Sequence, residues 1–403
     1  MPISKCLFYL LIFFLPLNLG RHFILRDSFV SGLLVDYLIP TIYIQDGLIL
    51  LILGASLFEK RKGFSVEKLK EFLNRREIQL GLLFMFSVFL SVLSGVRPPP
   101  SFFAFLRLLL YFLFFIYVVL NLEFKEVFPR IISIMSFGVI FLGFLAVLQF
   151  ARQGSVFDNY LVLGEQPYSI STPQVTRERF LGFYKIPAYG LFRHPNIFGG
   201  FLAVVLVWVL SRIKDGKLYV VSFILGFIGL VLTLSLSSWI VFLLGALSLY
   251  YKKILISLPW LVICVFVFSL FLLDFSGLQN RSLGRRARFL DAAFGIIKER
   301  PLFGVGYNNV TVVMENYLKY VNEVRFLQPV HNIFVLVFSE SGVFAFLFFV
   351  SLFYFSLIKS LPRKLVFISL VQMAILGCFD HYFVTIHQTQ ILFWLALGLS
   401  FCL

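Results

Sequence analysis

Apolar positions in this 403-residue chain come in long unbroken runs, not in the strict alternation of a half-buried strand or the stripe of a surface helix. Runs fall at 6–20, 42–58, 79–96, 101–122, 131–150, 195–211, 218–236, 238–250, 254–273, 332–357, 365–379 and 389–403. Most approach the roughly 20 residues that carry a helix across a hydrocarbon core of about 30 Å. The stretch 218–250 would be near 50 Å as one helix, at about 1.5 Å per residue, so the pattern predicts a tight turn at 235–238. The expected fold is all-α and polytopic: one integral membrane domain over 1–403 with about twelve transmembrane helices. A long, partly helical outer loop should separate spans nine and ten.

Composition narrows the classes. Apolar residues make up 60% of the chain and charged residues 14%, against roughly 25% charged in ordinary soluble domains. A soluble enzyme is excluded. So is a disordered chain, since 53 Phe cannot remain solvated. Cys6, Cys264, Cys378 and Cys402 lie inside apolar runs and read as packing residues, not as a disulfide or metal set. The first run follows Lys5 and resembles a signal sequence, but no small-residue cleavage site precedes Arg21, so it is expected to stay as the first span.

The net charge of +15 must be sorted by side of the membrane before nucleic acid is considered. The segments 59–77, 212–217, 252–253 and 359–364 are mostly Lys-rich and share one side by parity, which makes that side, with both termini, cytoplasmic. The long loops 151–193 and 274–330 then lie outside and are expected to carry the site. Their bases are Arg152, Arg177, Arg179, Arg193, Arg281, Arg285, Arg286, Arg288, Arg300 and Arg325. Lysine suffices to hold a loop near anionic lipid, whereas the planar guanidinium grips phosphate bidentately. An anionic ligand on the outer face is expected, and nucleic acid is not.

Arg281, Arg285 and Arg288 recur at i, i+4 and i+7, so a helix over 282–298, supported by Phe289, Ala292, Ala293 and Ile296, would put them on one face. Such a stripe fits a diphosphate, lipid headgroups, or pairing with Asp291 and Glu299, and the spacing leaves these open. All five histidines fall near the outer interface, and His331 opens an apolar run directly after the longest outer loop, where a neutral imidazole can take a hydroxyl proton. Arg107 and Glu340 lie at matching depths inside their spans and are expected to pair. Gly304 to Asn308 reads as a turn closing the loop helix after Pro301. No phosphate loop, metal-ligand spacing, nucleophile elbow or paired-carboxylate motif is present, so neither cofactor nor metal is expected.

Three segments, YGLFRHPNIFGGFL (189–202), FLDAAFGIIKERPLFGVGYNN (289–309) and HNIFVLVFSESGVFAF from His331, together resemble the O-antigen ligase and polymerase family of bacterial membrane glycosyltransferases. The resemblance covers about the second half of the chain. It implies a metal-independent, inverting transferase of the GT-C type in the bacterial inner membrane. Such an enzyme moves a glycan from an undecaprenyl-diphosphate carrier to an acceptor sugar hydroxyl of a glycan or glycolipid on the outer face. It also implies His331 as base and Arg286, with Arg285, Arg288 and Arg193, as diphosphate ligands. Asn332, His194, Asn196, Glu340 and Arg107 would support them. Where the family commonly has Ser-Arg at an outer turn, this chain reads Ser237-Ser238, and the final Gly of the HN-to-GxxG pattern is Ala345. Two other classes stay open: a transporter or flippase, which would gather polar residues on broken helices, and a non-catalytic scaffold of glycan assembly.

Overall fold

The computed structural model describes residues 1–60, 66–173, 175–270, 281–318 and 326–402. Parts of the basic segment 59–77 and of the loop 274–330, including Arg325, lie outside these. Among the described residues sixteen α-helices run in the order α1 (Ile3–Phe14), α2 (Ile44–Lys60), α3 (Val66–Leu73), α4 (Arg76–Leu93), α5 (Pro98–Asn121), α6 (Phe124–Arg152), α7 (Pro195–Ser211) and α8 (Lys217–Leu232). They continue with α9 (Leu236–Tyr250), α10 (Lys252–Leu270), α11 (Arg281–Glu299), α12 (Val310–Val313), α13 (Ile333–Ser360), α14 (Lys364–Gly377), α15 (Tyr382–Thr385) and α16 (His387–Leu399). Each apolar run predicted as a span overlaps one of these helices over its described residues. Among the described residues four of them, α4, α5, α6 and α13, are long and apolar enough to cross a membrane by length and composition.

Among the described residues three short antiparallel ribbons interrupt the helical pattern. β1 (Gly20–His22) pairs with β4 (Thr41–Tyr43), β2 (Phe29–Val30) with β3 (Leu33–Leu34), and β5 (Glu178–Phe180) with β6 (Phe183–Lys185). The helix α3 inside the basic segment 59–77 was likewise not expected.

Helices apolar on every side are the central ones. α7, α14 and α16 are buried nearly all round, by one another and by α5, α6, α8, α9 and α13. The predicted turn between α8 and α9 exists, centred slightly earlier, where Leu234 takes φ +51°. A second apolar core joins the segment between α1 and α2 to the loop helix: Val30, Val35 and Leu38 pack with Phe289, Leu290, Ala293, Ile296, Val310 and Val335. The predicted buried face of α11 is therefore correct, and what it covers is the segment that follows the first helix.

Two local features position the site. Asn332 caps α13, its Oδ1 accepting from the amides of Phe334 and Val335 at 3.0 and 3.2 Å, while its Nδ2 donates to the Cys378 carbonyl at 3.3 Å. The start of α13 is thereby tied to the end of α14. Further along, α13 breaks at Gly342, which adopts φ +76° and ψ −177°. The freed carbonyls of Ser339 and Glu340 accept from the amides of Val305 and Gly306 at 3.1 and 2.9 Å, and the Val343 amide donates to the Pro301 carbonyl at 2.9 Å. The turn after α11 is thus plugged into the break.

Candidate active site

The N-terminus of α7, the N-terminus of α13 and the C-terminus of α14 meet at one end of the bundle, opposite the basic turns at 212–217 and 359–364 that close the same helices. Each contributes an imidazole or a carboxylate. His194 caps α7, its Nδ1 accepting from the Asn196 amide at 3.2 Å and its Nε2 meeting Thr176 Oγ1 at 3.1 Å. Gln149 at the end of α6 accepts from the amides of Tyr189 and Gly190 at 3.1 and 2.8 Å, anchoring the chain that enters α7. His331 precedes the Asn332 cap. Asp380 and His381 follow α14, with the His381 amide donating to Asp380 Oδ1 at 2.8 Å and His381 Nδ1 meeting Thr385 Oγ1 at 2.7 Å.

These groups converge. The rings of His331 and His381 are 5.1 Å apart, Phe289 of α11 lies parallel to His331 at 6.1 Å, and the ligand-type atoms of His331, Asp380 and His381 all fall within 4.8 Å of one another. Such a spacing of two imidazoles and a carboxylate could hold a divalent cation. His331 Nδ1 is buried with no hydrogen-bond partner among the described residues.

Arg286 supplies the local positive charge. Its field acts on His331, Asp380, His381 and His194, and it forms no bonded pair among the described residues. Burial depresses His331 most; Asp380 opposes this, His381 and Arg286 add to it, and the result is about 3. Burial also lowers His194 to about 4, against the pull of Asp380 and with the push of Arg286. The Asp380 carboxyl is raised by burial, but His331, His381 and Arg286 outweigh that and hold it below its ordinary value. Near neutral pH the group therefore contains neutral imidazoles, one carboxylate and one guanidinium.

The arginine stripe divides differently from its spacing. Successive helical residues turn by about 100°, so Arg286 faces away from the stripe of Arg285 and Arg288. Arg285 lies over Phe326, 4.9 Å from the ring centroid, and its charge reaches His194. Arg288 is partly buried on the same helix, and the Arg281 side chain lies outside the described residues.

Arg193 and Arg107 gather elsewhere, around Tyr43. The expected Arg107–Glu340 pair does not form: Arg107 Nε lies 3.8 Å from Asp46 Oδ2. Glu340, 1% exposed, instead accepts from Tyr37 Oη at 3.1 Å and from the Val310 amide at 3.1 Å, bracing α12 against the segment before α2. Equal depth in the bundle did not mean adjacency, because the re-entering turn after α11 and Tyr37 occupy the space beside Glu340.

Glycines explain much of the 189–202 segment. A Cβ at Gly200 would overlap the Tyr382 hydroxyl, and one at Gly199 would press on Ser238 Oγ at 2.7 Å. Ser238 is fully buried and bonded to Ser235 Oγ at 2.9 Å, so an arginine in its place would have no room. Asp380 escaped the sequence reading. Its only signal was an acid directly before His381, between two apolar runs.

Residues 221–350, about a third of the chain, match the family model described as O-antigen ligase. Two of the three resembling segments, 289–309 and the run from His331, fall inside the match, and 189–202 lies outside it. The match bears out the family resemblance. It supports a membrane protein of O-antigen ligase-type glycan transfer, with a lipid-linked glycan and an acceptor as partners in general. No curated protein matches the chain.

Proposed function

We propose that the protein spans the bacterial inner membrane with about twelve helices, both termini cytoplasmic. On the outer face it transfers a glycan from an undecaprenyl-diphosphate carrier to an acceptor sugar hydroxyl. His331 accepts the hydroxyl proton as the acceptor oxygen bonds to the anomeric carbon, and the bond from that carbon to the diphosphate oxygen breaks with inversion. Arg286 offsets the charge growing on the departing diphosphate, and Arg285 and Arg288, on another face of the same helix, add positive charge nearby. Asp380 stabilises the imidazolium while it exists. The observation that carries this reading is the convergence of His331, Asp380, His381 and His194 under the charge of Arg286.

The reaction is read as metal-free. The guanidinium that suits a diphosphate also repels a cation from the His331, Asp380 and His381 group. The transporter reading draws on the break in α13, but the carbonyls freed there already accept from the chain's own amides.

Purified full-length protein, given a synthetic lipid-diphosphate glycan and a set of acceptor glycans, should form product that H331A and R286Q form at least a hundredfold more slowly. Chelator should leave the wild-type rate unchanged. Wild-type rates in both variants would remove the assignment, and loss of rate with chelator restored by a divalent ion would replace it with a metal site. Solute uptake into vesicles without product would favour the transporter. Binding of the lipid-diphosphate without transfer would favour the scaffold.

A further inference from the structure

A second group of charged and aromatic side chains takes no part in the chemistry proposed above. Tyr43, at the end of β4 and 6% exposed, touches three different elements. Its ring stacks on the His387 imidazole with centroids 3.5 Å apart and 11° between planes. The Arg107 guanidinium of α5 lies over the same ring, 5.2 Å from its centroid, and the Tyr43 hydroxyl accepts from Arg193 Nη2 at 3.0 Å. Two guanidinium groups are thus held at the ends of one tyrosine side chain, one over its ring and one on its hydroxyl.

The acid beside them is already committed. Asp46 Oδ2 accepts from the Tyr43 amide at 2.9 Å and Oδ1 from the Tyr111 hydroxyl at 2.8 Å. Arg107 Nε, 3.8 Å away, attracts that carboxylate without a hydrogen bond. Among the described residues, Arg107 Nη2 is buried with no partner and Arg193 makes no ion pair. His22 sits at the rim, its Nε2 meeting Tyr160 Oη at 3.2 Å, with the exposed Asp36 acting on it from outside. An unpaired buried guanidinium donor is costly, and a planar two-oxygen anion is the partner that its fork of donors fits.

We infer that Arg107 and Arg193 form an oxyanion subsite, distinct from the His331 group, that receives a phosphate or carboxylate carried by the acceptor glycan. Assignment to the acceptor rests on the transferase reading: the Arg286 group takes the donor's diphosphate, so a second anion grip falls to the second substrate. The chain from Asp380 to His387 links the two groups through the single turn of α15, which places the subsite one short segment from the reacting centre. An acceptor held by its charge at Tyr43 could present a hydroxyl to His331.

The test is equilibrium binding to the full-length protein in phosphatidylcholine nanodiscs, with glucose 6-phosphate and glucuronate as probes and glucose as the neutral control. The anionic sugars should bind and glucose should not. R193Q should weaken binding at least tenfold, and R107K, which keeps the charge but loses the planar fork, should do the same. R179Q, on the exposed β5 ribbon, should stay within about twofold of wild type, and because binding is read without any donor the result stands apart from whether His331 catalyses transfer. The inference is overturned by absence of binding to the wild type, by equal binding to R193Q and R107K, or by loss in R286Q alone. It is also overturned if phosphatidylglycerol in the nanodisc abolishes the sugar signal, because the occupant is then a lipid headgroup.

Discussion

Replacing Gly342 with alanine tests whether the break in α13 holds the site together. The residue takes φ +76° and ψ −177°, a conformation almost confined to glycine, and forcing another residue into it costs about 1–3 kcal/mol. The new Cβ would also run into the backbone of Leu302 and Phe303. Because backbone cannot swing aside as a side-chain tip can, overpacking adds about 1–3 kcal/mol more. The expected loss is about 2–6 kcal/mol. Gly182 supplies the control: its φ is +90°, but a Cβ there meets nothing within 4 Å, so alanine should cost only about 1–2 kcal/mol. Thermal unfolding in detergent, followed by tryptophan fluorescence, should rank the wild type first, G182A slightly below it and G342A well below both. Transfer should fall in G342A even at temperatures where it stays folded, since α11 and Arg286 lead directly into the turn plugged into the break. Coincident melting of G342A and G182A would refute the argument.

Four further outcomes are expected. Because burial and Arg286 hold His331 near 3 instead of about 6.5, its basic form persists as pH falls, and kcat/KM should stay level from pH 8 to 5; R286Q should move the acid limb upward, and a half-maximal rate near pH 6.5 in the wild type would contradict this. For stability the same depression works against the fold in acid. Below about pH 6.5 the unfolded chain takes up protons that His331 and His194 refuse until about 3 and 4, so the melting temperature should drop over that window. N332A removes a helix cap, at about 1 kcal/mol, together with the tie to Cys378; it should lower kcat at unchanged donor KM, and an unaltered kcat would show that the cap does not set His331. In double-mutant cycles read by chemical unfolding, R107A and E340A should add within about 0.5 kcal/mol, whereas R107A and D46N should couple, and the reverse pattern would overturn the observed pairing.

Local sequence determined where the helices lie, because burying a peptide backbone in hydrocarbon permits few alternatives to an apolar helix. Every predicted run overlaps a helix over its described residues, and the buried face of α11 follows from the spacing of Phe289, Ala292, Ala293 and Ile296. His331 and Arg286 were also readable, one by its place at the mouth of an apolar run and the other by the basic loop and the family resemblance.

Which polar groups meet was decided only by the tertiary structure. Asp380 joins His331 because Asn332 ties two helix ends that are adjacent in space and some 46 residues apart in sequence. Arg107 finds Asp46 and Tyr43, and Glu340 finds Tyr37 and Val310, because the segment after α1 and the turn after α11 fold back into the bundle. Hydropathy carries depth along a helix axis but neither rotation about it nor the choice of neighbour. Pairing among buried charges depends on those two quantities, since a guanidinium or carboxylate bonds only what lies within hydrogen-bond reach.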